Sequence, residues 1–125
     1  MAKILLVDND PLQAFVHKSL LIKNLHDVHR VRNAAEALCM IEQAEFSPDL
    51  TLIICNRAIH GLSCPEFISE LSARSPLMKI LVLEKAPHCA CDYPTQQVLF
   101  ASKPLEAEGI LRLTDGFLNK HSSAA

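Results

Sequence analysis

Residues Asp49–Glu66, DLTLIICNRAIHGLSCPE, decide the fold. Leu50–Cys55 is an almost unbroken apolar run, as expected of a central parallel strand covered on both faces. The run stops at Asn56 and a short loop follows. Ser63, Pro65 and Glu66 then give a helix start: a capping serine, a proline in the first turn and a glutamate able to reach back. Strand, loop and helix in this order belong to an open α/β sheet, where ligands sit beyond the carboxyl ends of the strands. The chemistry of the chain is therefore sought around Asn56.

Outward from this core, strands and helices alternate five times. KILLV (3–7) is a buried strand that ends in Asp8-Asn9-Asp10. Asp10 and Pro11 start a helix, with Gln13 in the capping-box position and Leu12, Phe15, Val16 and Leu20 as its expected core stripe. A second strand, Val28–Arg32, mixes His29, Arg30 and Arg32 with valines, which suits a sheet edge. Asn33 caps the next helix, with Glu36 three residues on and Ala34, Ala37, Leu38 and Ile41 inward. A third helix covers about Cys64–Ala73, burying Phe67, Ile68 and Leu71. Lys79–Leu83 is a strand ending at Glu84, and Val98–Ala101 is another, leading to Ser102-Lys103-Pro104. The last helix, about Leu105–Asn119, carries Ile110, Leu113 and Phe117. Residues 85–97, KAPHCACDYPTQQ, are irregular, because Pro87 and Pro94 obstruct a long helix. The expected fold is a five-stranded parallel sheet in order 2-1-3-4-5, doubly wound by helices.

The chain has 125 residues and fits one domain, read as residues 1–120 with 121–125 as a polar tail or linker. Half of it is hydrophobic, enough for a packed core. A formal net charge of −2 gives no electrostatic reason to expect nucleic acid or a membrane surface. There is no apolar run of bilayer length and no signal-peptide pattern, so the expected location is the cytoplasm. Of the five cysteines, Cys39 and Cys55 read as small core residues. Cys89 and Cys91 beside His88 raise the alternative of a metal- or redox-responsive protein, although C-x-C with one His lacks the second ligand pair of a zinc site. His17, His26 and His29 are scattered and read as solvated.

The pieces ILLVDNDP (4–11), NAAEAL (33–38), PDLTLII (48–54), the loop into CPEF (64–67) and SKP (102–104) together resemble the receiver domains of response regulators. The resemblance covers nearly the whole chain and implies a flavodoxin-like, CheY-like fold. It also implies phosphoryl transfer from a histidine kinase to an aspartate ending the third strand. Two acids after the first strand would hold Mg²⁺, a Ser/Thr would end the fourth strand, and a lysine before proline would end the fifth.

Carried over by position, Asp8 matches the first acid and Lys103 the lysine. Asn9 stands at the second acid, Asn56 at the phosphoacceptor, Glu84 at the Ser/Thr and Phe100 at the switching aromatic. The loop lacks the usual Pro, Asp and Gly, with His60, Ser63 and Cys64 in their places. A neutral amide is a very poor nucleophile, and Mg²⁺ prefers hard anionic oxygens. The expectation is a pseudo-receiver, not an enzyme, with at best a weak Mg²⁺ site at Asp8 and no other cofactor. Two arrangements stay open for Glu84. Either it pairs with Lys103, replacing the contact a phosphate would make, or it faces solvent while Lys103 pairs with Asp8.

Such a module acts through a protein partner: a sensor kinase, an output domain or another regulator. The resemblance implies a partner or homodimer face made of the fourth-helix segment, the fifth strand and the last helix. A working receiver using another acceptor or ligand is the alternative within the same family.

Overall fold

The computed structural model describes residues 2–56, 64–75, 78–84, 98–102 and 109–123, with the backbone alone described at 47, 64, 65, 84, 98–102, 117 and 119–123. Five parallel strands, β1 (Lys3–Val7), β2 (Asp27–Val31), β3 (Leu50–Asn56), β4 (Lys79–Glu84) and β5 (Val98–Ser102), form one sheet in the order β2-β1-β3-β4-β5. Among the described residues four α-helices accompany them: α1 (Pro11–Lys23), α2 (Ala34–Ile41), α3 (Cys64–Arg74) and α4 (Gly109–Ser123). The order and the parallel sense are those expected from the alternation of patterns. β2, with its exposed Asp27 and half-buried His29 and Arg30, lies at the sheet edge. α4 runs three residues into the stretch read as a tail.

Two cores line the sheet, one per face. On one side Leu5, Val7, Ile53, Cys55, Ile80 and Val82 pack under α2 and α3, which contribute Ala34, Ala37, Ile41, Phe67, Ile68 and Leu71. On the other, Ile4, Leu6, Leu52, Ile54, Leu81 and Leu83 meet Ala14 and Leu21 of α1 and Ile110 of α4. Alternate residues of each inner strand feed opposite cores, which is why β3 reads as continuous apolar sequence. Each such Leu or Ile contributes about 1.5–3 kcal/mol by leaving water. Phe46, absent from the expected core, is buried before the short 3₁₀ turn Ser47–Asp49. Lys3 Nζ donates to its carbonyl and stands 4.3 Å over its ring, while His29 meets the ring edge-on. At the start of β3 the register slips between Lys3 and Ile4, so that Thr51 is the extra residue, and its hydroxyl donates to the Lys3 carbonyl.

Four sequence expectations are corrected. The inward face of α1 is Ala14, His17 and Leu21, with Leu20 half-buried, whereas Leu12 and Phe15 are 73% and 68% exposed and Val16 is also exposed. Two apolar stripes compete on this helix, and the one with the small Ala14 lets the helix approach the sheet closely. His17 is buried accordingly, and His26 is largely covered, bridging Asp115 Oδ1 of α4 through Nε2 and accepting from Ala2 N at Nδ1. Gln13 does not close a capping box on Asp10, because the Asp10 N–H donates instead to Asp8 Oδ1. Cys39 is exposed, on the side of α2 opposite its buried Ala34, Ala37 and Ile41, while Cys55 is core as expected.

The caps themselves form. Asp10 Oδ1 accepts from the N–H groups of Leu12 and Gln13, and Asn33 Oδ1 accepts from Glu36 N. Glu36 in turn reaches back to the Arg32 N–H. α1 stops in a double backbone bond, His26 N to Leu21 O and Leu25 N to Ile22 O, the Schellman arrangement. It requires a left-handed residue after the cap, and here that residue is Leu25, with φ 70°.

Candidate functional site

The register of the sheet sets which strand ends meet. Val7 pairs with Cys55, so Asp8 and Asn56 each follow one member of a hydrogen-bonded pair at the carboxyl edge of neighbouring strands. Asn56 pairs with Leu83 and Glu84 with Ser102, which brings the backbone of Glu84 and the end of β5 to the same edge. Neighbouring parallel strands lie about 4.8 Å apart. The strand ends carrying Asp8, Asn56, Glu84 and Ser102 are thus side by side, as the alternating pattern predicts. Lys103 lies outside the described residues, as do the loop 57–63 with His60 and Ser63 and the segment 85–97 with Cys89 and Cys91. The side chains of Glu84, Phe100 and Cys64 also lie outside what is described.

Asp8 is 1% exposed and thoroughly engaged. Its Oδ1 accepts from Asp10 N at 2.9 Å and its Oδ2 from Gln13 Nε2 at 2.7 Å. Its N–H donates to Val31 O at 3.0 Å, tying β1 to β2 one residue beyond their ladder. Its carbonyl accepts both Nε and an η-nitrogen of Arg30, at 3.1 and 2.9 Å. A guanidinium fork on one carbonyl is a rigid contact that a lysine cannot reproduce. Arg30 and Gln13 are the two residues that the sequence reading left out of the site. Arg30 was legible only as edge-strand polarity, because nothing in its spacing shows that it bends toward the strand end. Gln13, by its spacing from Asp10, signals only a capping residue.

The remaining members are neutral or occupied elsewhere. Asn56 is buried and engaged, and its amide carries no charge. Asn9, half-buried, presents a neutral amide. Asp10 spends Oδ1 on the first turn of α1. Among the described residues no three His, Cys, Asp or Glu side chains are grouped to hold a metal ion. The described edge thus offers one buried carboxylate, already bonded at both oxygens, with a cation held on the main chain beside it. Such a site favours fixed geometry over exchange of ligands.

No family model matches the chain, and no curated protein matches it. Solved structures do. A CheY-like response regulator receiver domain protein from Methanospirillum hungatei superposes with a TM-score of 0.83 at 17% identity, over 100% of this chain and 99% of its own. The chemotaxis response regulator CheY4 of Vibrio cholerae gives 0.78 at 20% identity, over 94% and 98%. A response regulator from Thermotoga maritima, solved in complex with Mg²⁺ and BeF, gives 0.76 at 22% identity, over 94% and 99%. At these identities the likeness is one of fold. The chain has the flavodoxin-like fold of the CheY-like receiver domains, with its parallel sheet wrapped on both faces.

Proposed function

We propose that this chain is a receiver-like signalling module of a two-component or phosphorelay system that works by protein–protein contact and does not carry phosphoryl at Asn56. The observation that carries the proposal is the state of Asp8: both carboxylate oxygens are hydrogen-bonded, and its neighbours Asn9 and Asn56 are amides. Phosphoryl transfer needs a nucleophile and positive groups that neutralise the moving charge. An amide is a very poor nucleophile. Mg²⁺ demands near-octahedral oxygen ligation with one or two available carboxylates. The described residues do not fit it, because Asp8 is their one buried carboxylate, Asn9 and Asn56 add no negative charge, and the Arg30 cation is already seated nearby.

On this reading the partner is a sensor kinase, an output domain or another regulator, and the working compartment is the cytoplasm. The module includes the whole of α4, through Ser123, and is not an enzyme. Glu84 and Lys103 stand at the positions where a phosphate would be contacted in a receiver, and Phe100 at the aromatic position that changes rotamer. The fold likeness supports this setting, and the neutral amides support the lack of phosphoryl at Asn56.

Incubation with acetyl phosphate and Mg²⁺, followed by intact-mass measurement, tests the proposal. The expected spectrum is that of the unmodified chain. A labile adduct of one phosphoryl group would overturn it in favour of a working receiver with another acceptor.

A further inference from the structure

We infer that α1 is the contact surface of a symmetric antiparallel dimer of this chain. Leu12, Phe15, Val16, Ser19 and Ile22 fall on one side of the helix by its 3.6-residue period, opposite the buried Ala14, His17 and Leu21. All are exposed, and Leu25, just beyond the helix, is 74% exposed. Isolated surface apolar residues are ordinary, but a continuous stripe of this kind marks an interaction surface.

Leu25 gives the second, independent observation. Its φ of 70° lies in the left-handed region, which costs a residue with a Cβ about 1–2 kcal/mol. A glycine would make the same helix stop without that cost. The monomer thus holds a large apolar side chain in an unfavourable backbone conformation and in water. Burial against another surface is the term that offsets both.

The order of residues along the stripe points to a second copy as that surface. A two-fold axis passing beside Lys18 and Ser19, with the helices antiparallel, sets Leu12 against the second copy's Leu25 and Phe15 against its Ile22. Val16 and the small Ser19 flank the axis, where the helices come closest. The charges agree with this direction. Exposed Asp10 stands at the start of α1 and exposed Lys23 in its last turn. Antiparallel packing places Lys23 about four residues, roughly 6 Å along the axis, from the second copy's Asp10. The helix dipoles are also opposed in this arrangement. An interface of the same patch on both copies closes at two. The inference is independent of whether Asn56 accepts phosphoryl, and the face differs from the β5–α4 side that the receiver resemblance implies.

Sedimentation analysis of the full chain over a wide concentration range is the test. The expected result is a monomer–dimer equilibrium that saturates at two copies. Phe15→Glu is expected to weaken dimerisation more than about tenfold, the scale set by losing an aromatic anchor. Leu25→Gly is expected to weaken it as well while raising the Tm of dilute protein by about 2–4 °C through relief of the left-handed conformation. This second variant keeps the test open if Phe15→Glu does not fold. Ser19→Cys is expected to give an oxidised covalent dimer that the wild type does not form. A monomer at every concentration, an unsaturating series of aggregates, a dimer indifferent to both interface variants, or a dimer without the Ser19→Cys cross-link would each overturn the inference.

Discussion

Asp8 and Gln13 are joined across the start of α1: Gln13 Nε2 donates to Asp8 Oδ2 at 2.7 Å. The bond couples the end of β1 to the helix that follows it. Removing the amide leaves a buried acceptor without its partner, the most damaging way to lose a hydrogen bond. Gln13→Ala is therefore expected to lower stability by about 1–3 kcal/mol. Urea unfolding followed by circular dichroism measures it, and a change within error would mean that water replaces the amide without loss.

The same bond explains why the sequence misread α1. By spacing alone Leu12, Phe15, Val16 and Leu20 make a better apolar stripe than Ala14, His17 and Leu21. The rotation of the helix is set instead by its first turn, where Asp10 accepts from Leu12 and Gln13 N–H groups and Gln13 turns toward Asp8. With Gln13 facing the strand end, Ala14 and His17 follow onto the sheet. The β-strands were legible because period-two burial on both faces leaves no choice of side. Periodicity locates a helical stripe but does not choose between two of them, and the choice lies in a side-chain bond that no spacing rule reports.

Arg30 holds the Asp8 carbonyl with two nitrogens from the neighbouring strand. Lysine offers one ammonium in place of a planar fork. Arg30→Ala is expected to cost about 1–2 kcal/mol, with Arg30→Lys recovering less than half of it. Equal losses in the two variants would show that aliphatic packing, not the fork, is what matters; chemical denaturation of both proteins side by side separates the two cases.

Gly116 lies in the interior of α4 and is exposed, and a Cβ built there meets nothing within 4 Å. Glycine in a helix interior is less favourable than alanine by about 1 kcal/mol. Gly116→Ala should accordingly stabilise the chain by about 0.5–1 kcal/mol. A thermal melt decides it, and a lower Tm would imply a contact made by this face of α4 that alanine obstructs.

Cys39 and Cys55 differ in environment despite similar sequence surroundings. Cys39 is exposed in a groove of about 370 Å³ beside α2, lined also by Val31, Ala35, Glu36, Met40 and Gln43. Cys55 is wholly buried in β3. Reaction with a thiol-specific alkylating reagent and peptide mapping should label Cys39 in the folded chain and Cys55 only after denaturant is added. Simultaneous labelling of both would mean that β3 opens under native conditions, contrary to its place at the centre of the sheet.

Part of the candidate site was readable in advance and part was not. Asp8, Asn9 and Asn56 could be placed because strand ends in a doubly wound sheet converge at one edge, and the register sets the backbones that carry Asp8 and Asn56 side by side. What the sequence could not give was the occupancy of Asp8, which depends on Gln13 and Arg30. That occupancy makes a sharp experiment of restoring the acids. Asn56→Asp supplies a nucleophile but no carboxylate at position 9, and Asp8 remains bonded at both oxygens. It is expected to give no Mg²⁺-dependent adduct with acetyl phosphate. Asn9→Asp together with Asn56→Asp gathers three carboxylates at the edge, enough to draw Asp8 away from Gln13 and ligate Mg²⁺. The double variant is expected to show a labile mass increase of one phosphoryl group that vanishes with chelator. Phosphorylation of the single variant would mean that the nucleophile alone was missing and that Gln13 and Arg30 do not hinder the metal.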